Sequence, residues 1–193
     1  MAPNGYTRRG RKVSRNFVRS WKRSGTHVCA DCNEQQKPTK GTLTMPSVGT
    51  DAVVQEIKIN AKPETVFAFL VDPAKVRRWM SIGGDWQPVP GKPYRLEMTK
   101  EDIAVGAFVE VDPPRRLVLT WGWEGEDAVT KPGSSTVEFT LQPDGAGTIV
   151  RFVHRDLPTP ESVSQHAKGW EYFLGRLQIV ASGGDPGPDK FQD

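Results

Sequence analysis

Apolar and polar residues begin to alternate at Val53. The run Val53-Val54-Gln55-Glu56-Ile57-Lys58-Ile59 ends in regular alternation, the pattern of a strand with one buried face. At Lys62-Pro63-Glu64-Thr65 the period changes. Proline suits a first helical position and Glu64 suits the positive end of a helix dipole, while Val66, Phe67 and Leu70 supply an apolar helical face. Asp72-Pro73 repeats the start signal and predicts a short helix through Val76 and Trp79.

Gly83-Gly84 and the prolines at 88, 90 and 93 break every period and predict a loop. Strand-like runs follow at Tyr94–Thr99, Ile103–Val111, Arg116–Trp123, Ser135–Leu141 and Thr148–Arg155. Asp112-Pro113-Pro114 and Pro143-Asp144-Gly145 carry turn chemistry, which favours antiparallel hairpins over parallel crossovers. From Pro160 the steps of three and four return. Val163, His166, Ala167, Trp170, Phe173, Leu174, Leu177 and Val180 form the stripe of a helix of about six turns. Gly183-Gly184 stop it, and residues 183–193 are expected to be a disordered, frayed tail.

One strand, two short helices, five strands and a long helix is an α+β order, with an antiparallel sheet and its helices gathered on one face. The roughly 149 residues from Met45 onward suffice for one independent core. No internal repeat is apparent.

Charge divides the chain differently. Residues 1–44 carry ten Lys/Arg against two acids, a net +8, whereas residues 45–193 carry 16 against 21, a net −5. The first segment lacks sustained periodicity, so residues 1–49 are expected to form a basic disordered tail. Met45 is a credible alternative start. Phe17, Val18 and Trp21 are spaced for one face of a short basic helix, the only feature suited to nucleic acid or an anionic membrane surface. No stretch is apolar enough to span a membrane and no apolar run follows the basic start, so a cytoplasmic location is expected. Two cysteines make no disulfide framework, and His27-Val-Cys29-Ala-Asp31-Cys32 lacks the second pair that structural zinc needs. No phosphate-binding glycine loop, nucleophile elbow or His-Glu-x-x-His motif is present, so neither a cofactor nor a metal is expected.

Three stretches together resemble a known family. They are Ile59-Asn-Ala-Lys-Pro-Glu-Thr-Val-Phe67 through Trp79, then Gly106-Ala-Phe-Val-Glu-Val-Asp-Pro-Pro-Arg-Arg-Leu117, and finally His166 with Gly169-Trp170 and Leu174. Their order and spacing resemble START-like (SRPBCC) domains, and most closely the branch of activators of the 90-kDa heat-shock protein ATPase, over residues 50–182. The resemblance implies a helix-grip fold, in which a curved antiparallel sheet wraps around the carboxy-terminal helix and leaves a cavity between them. Members bind apolar molecules, catalyse cyclisation or related chemistry in the cavity, or activate the chaperone. The eukaryotic activators carry a separate chaperone-engaging amino-terminal domain, which residues 1–44 are too short to supply.

On this reading the cavity wall is expected to comprise Phe67, Trp79, Trp86, Met98, Phe108, Trp121, His154, His166 and Trp170, burying a small apolar ligand with the histidines orienting its polar end. The same rings are also what an ordinary aromatic core contains. His154 shares a strand face with Val150 and Phe152, and His166 lies one turn before Trp170, so both are expected to point inward. As an acid or base, either one needs a second group within reach. Tyr94, Leu96 and Met98 are expected inward, with Arg95 and Glu97 left to solvent. The leading expectation is a non-enzymatic binding module. The alternatives are a cavity enzyme of cyclase or dehydratase type and a stress-related chaperone partner, the latter requiring a closed cavity and an exposed apolar patch.

Overall fold

In the computed structural model, residues 52–191 are described. The basic segment with His27, Cys29 and Cys32 lies outside them. Strand β1 (Ala52–Ile59) leads into α1 (Pro63–Val71) and α2 (Pro73–Val76). Strands β2 (Gly83–Asp85), β3 (Pro93–Glu97), β4 (Ile103–Asp112), β5 (Arg116–Trp121), β6 (Ser135–Asp144) and β7 (Gly147–Arg155) follow, and α3 (Pro160–Ala181) closes the chain. All pairings are antiparallel, in the order β1-β7-β6-β5-β4-β3-β2. Consecutive strands pair as hairpins from β2 to β7, and β1 closes against β7.

The local signals act as their chemistry suggests. The Asp72 carboxylate accepts from the Ala74 N–H at 2.9 Å. At the start of α3, the Thr159 hydroxyl accepts from the Ser162 N–H at 3.1 Å, and Ser162 Oγ accepts from the Thr159 N–H at 3.2 Å. Two donors left over at the helix start are thereby satisfied.

Three expectations need correction. Gly83–Asp85, expected in a loop, is a short edge strand on β3. Gly84 lies at φ +115°, and a Cβ there would collide with the Arg95 carbonyl, so the glycine that reads as a breaker is what permits close pairing. The run expected to reach Trp123 ends as a regular strand at Trp121; Gly122 passes close to the Lys131 backbone, where no Cβ fits, and beyond it only an isolated bridge joins Trp123 to Ala104 of β4.

The third correction concerns the carboxy terminus. Residues 185–191 do not fray along their described length but fold back onto α3. Arg176, 8% exposed, donates to the carbonyls of Trp79 (3.2 Å), Pro188 (3.1 Å) and Gly187 (3.1 Å). Phe191 packs edge-on against Tyr172, and Lys190 lies over the Tyr172 ring.

Strand parity places the core. Leu117, Leu119 and Trp121 of β5, Val137 and Phe139 of β6, and Val150, Phe152 and His154 of β7 are buried on the face that receives Trp170, Phe173, Leu174 and Leu177 of α3. Tyr94, Leu96 and Met98 turn inward, and Arg95 outward, where it pairs with Glu97 and Glu124.

Candidate functional site

Four tryptophans meet where the sheet faces α1 and α3. Two are fixed by the end of α1, whose last carbonyls have no helical partner. Trp79 Nε1–H donates to the Phe69 carbonyl at 3.0 Å, and Trp86 Nε1–H to the Leu70 carbonyl at 3.1 Å. With Trp121 and Trp170 they line a cavity whose other walls are Leu70, Met80, Leu117, Leu119, Val137 and Phe139. The free space is small. About 10 Å³ is open to the centre of a water-sized molecule, close to the least that one water needs.

Of the nine residues expected to line a cavity, Trp79, Trp86, Trp121 and Trp170 do so. Phe67, Met98 and Phe108 are buried in the surrounding core, with Phe108 edge-on to Trp86 at 4.8 Å. His154 and His166 sit behind the indoles rather than in the cavity wall. Trp121 has a second distinction: its Nε1 is buried with no hydrogen-bond partner among the described residues.

The histidines form a defined polar cluster. Trp170 Nε1–H donates to His154 Nδ1 at 2.9 Å. An indole can only donate, so Nδ1 must be the acceptor and His154 carries its proton on Nε2. That proton points to Ser135 Oγ at 2.8 Å, and the serine hydroxyl donates onward to the Trp121 carbonyl at 3.0 Å. By the same reasoning, Trp123 Nε1–H donates to His166 Nε2 at 3.2 Å, and His166 Nδ1–H donates to the Ser162 carbonyl at 2.7 Å. The two rings stand perpendicular, with centroids 4.8 Å apart. Burial, and then the neighbouring His166, pushes His154 well below the ordinary imidazole value. Burial also lowers His166, with the Ser162 carbonyl opposing.

These directions decide what the cluster can do. A serine 2.8 Å from a histidine has the spacing of a nucleophile and its base. Here, however, the imidazole Nε2–H donates a hydrogen bond to the serine instead of accepting one, so Ser135 is not activated. Each ring nitrogen of both histidines is engaged, and among the described residues no group of His, Cys, Asp and Glu is arranged to hold a metal.

Sequence reasoning missed Ser135, and the signal was present. Ser135 has the same strand parity as Val137 and Phe139, so it is a hydroxyl in a buried apolar row that needs a polar partner. It also missed Asp102 in the β3–β4 turn. The Asp102 carboxyl is pushed up to about 6 by burial, against the pull of the Thr99 hydroxyl.

A curved seven-stranded antiparallel sheet gripping one long carboxy-terminal helix defines the helix-grip class. Residues 60–182 match the family model described as activator of Hsp90 ATPase homolog 1-like protein, and the chain belongs to that family. Among solved structures it is similar to the AHSA1-like protein RHE_CH02687 of Rhizobium etli, at 43% identity, 74% of this chain, 88% of that one and a TM-score of 0.60. CalU16 from Micromonospora echinospora aligns at 26% identity over 68% of this chain and 76% of its own, with a TM-score of 0.55. DynU16, a protein of the dynemicin biosynthetic locus, shares the fold at 24% identity, over 70% of this chain and 49% of its own, with a TM-score of 0.62. No curated protein matches the chain. Among the described residues, no helix is long and apolar enough to cross a membrane.

Proposed function

We propose that this chain is a cytoplasmic binding module for a small apolar molecule carrying one hydrogen-bond acceptor, held between the sheet and α3. The observation that carries this reading is that Trp121, which lines this largely apolar cavity, has a buried indole N–H with no partner among the described residues. A buried donor without a partner costs about 1–3 kcal/mol, and a carbonyl or ether oxygen brought in by a ligand removes that cost. Trp79, Trp86 and Trp170 supply the aromatic walls that such a molecule stacks on.

The small size of the cavity sets a condition. Pockets for drug-sized ligands occupy roughly 300 Å³ or more, so binding requires the walls to separate. Entry therefore comes with a measurable change in the tryptophan environment. The near-filled cavity also favours a second reading, the stress-related chaperone partner, in which the rings are core and the outer surface acts.

Native mass spectrometry of the purified full chain, followed by denaturation, separates the two. The binding reading expects an organic mass released in stoichiometric amount, with an oxygen acceptor in its formula. A chain that purifies bare, and stays bare against a panel of aromatic ketones and fatty acids, supports the partner reading and overturns this one.

A further inference from the structure

We propose that His154 and His166 form an acid-operated latch joining α3 to the sheet, with each imidazole held as the acceptor of an indole N–H. The two bonds cross the helix–sheet interface in opposite directions. His154 on β7 accepts from Trp170 on α3, and His166 on α3 accepts from Trp123 beyond β5. A proton added to His154 Nδ1 turns that acceptor into a donor facing the Trp170 N–H, and the contact must open. A proton on His166 Nε2 does the same to Trp123. With the rings 4.8 Å apart, the first cation also opposes the second.

Among the described residues, no charged side chain beyond the pair itself shifts either imidazole. Val53 of β1 and Val137 of β6 flank His154 across the sheet. The charged side chains of the packed elements are Glu56 and Lys58 on β1, Glu64 on α1 and Arg116 on β5. Beyond β5 come Glu124, Glu126, Asp127 and Lys131, then Glu138 and Asp144 on β6, with Arg151, Arg155 and Asp156 on or after β7. On α3 they are Glu161, Lys168 and Glu171, and every one of these residues is partly or fully exposed. Arg176 is buried but turned to the carboxy-terminal strap. Burial and the two imidazoles themselves govern the pair, together with the Ser162 carbonyl. The latch goes beyond the binding reading and needs no ligand to operate.

The test is a pH series on the ¹⁵N-labelled full chain from pH ~7.5 to ~4.5, a range that spans the ordinary imidazole value. It combines long-range imidazole spectra with near- and far-ultraviolet circular dichroism. At the upper end, His154 is expected as the Nε2–H tautomer and His166 as the Nδ1–H tautomer. On acidification both should take up protons below 6.5, the ordinary imidazole value, together with loss of the near-ultraviolet tryptophan signal and retention of the far-ultraviolet signal.

The double variant His154→Asn/His166→Gln offers each indole an amide oxygen and no site to protonate, so its transition should move down by about one pH unit or more. An Asp102→Asn background removes the carboxyl that titrates near 6. The latch is overturned by an imidazolium or the opposite tautomers at neutral pH, or by a transition unmoved in the double variant. If that variant does not fold, the tautomers and titration of the unmodified chain decide the matter alone.

Discussion

Trp121→Phe and Trp170→Phe remove the same atoms from two rings that lie 5.3 Å apart in one core. Trp121 is 2% exposed and Trp170 4%, so solvent does not distinguish them. Each change deletes roughly 35–40 Å³, and at about 24 cal/mol per Å³ the residual cavity costs about 0.9 kcal/mol. The lost transfer energy of the removed atoms adds roughly 1 kcal/mol.

The polar consequences then separate them. Trp121 loses an N–H that has no partner among the described residues, which returns about 1–3 kcal/mol and brings its net change near zero. Trp170 loses the donor to His154 Nδ1 and leaves that nitrogen buried and unpaired, adding about 1–3 kcal/mol of destabilisation. Urea unfolding of both variants at neutral pH, followed by the remaining tryptophans, should find Trp170→Phe less stable than Trp121→Phe by at least ~2 kcal/mol. Equal losses, within about 0.5 kcal/mol, would refute the hydrogen-bond assignments on which the difference rests.

Three further outcomes follow from the same contacts. Arg176→Met should release residues 185–191, seen as loss of amide-exchange protection at Gly187 and Phe191, and should cost about 2 kcal/mol because the buried guanidinium holds several strap carbonyls. Asp102→Asn should stabilise by roughly 1 kcal/mol at neutral pH, a figure reduced for the partial exposure of the group. The folded-state value of Asp102 is raised to about 6, so its charged form is a burden above that pH. The burden lifts progressively as pH falls from about 6 toward the ordinary carboxylate value of 3.8, and the gain should vanish only below about pH 4 in paired denaturation curves. Thr159→Ala should cost about 1 kcal/mol by removing the cap of α3, with fraying at its first turn visible by amide exchange.

What could be read in advance followed from periodicity. The alternation in Val150, Phe152 and His154 put an imidazole inside, and the three- and four-residue steps from Val163 to Val180 defined α3 with His166 and Trp170 on one stripe. Three features escaped because tertiary contacts decide them. Gly83–Asp85 pairs as a strand because Gly84 admits the Arg95 backbone closely, which periodicity does not encode. Residues 185–191 carry turn chemistry that reads as a tail, and they are ordered by Arg176, a charged residue within an apolar helix. The cavity wall was only partly legible. Strand parity says which rings point inward but not which meet, and Phe67, Met98 and Phe108 fill core beside the cavity instead of facing it.

The most direct measurement is a titration of the ¹⁵N-labelled chain with 2-acetylnaphthalene and, separately, 2-ethylnaphthalene, following the indole N–H resonances. The two probes have nearly the same shape, and only the ketone offers an oxygen acceptor. The ketone is expected to bind at least about tenfold more tightly and to move the Trp121 resonance downfield as its N–H gains a partner. Equal affinity for both probes, or binding that leaves the Trp121 resonance in place, would contradict a site built around that donor.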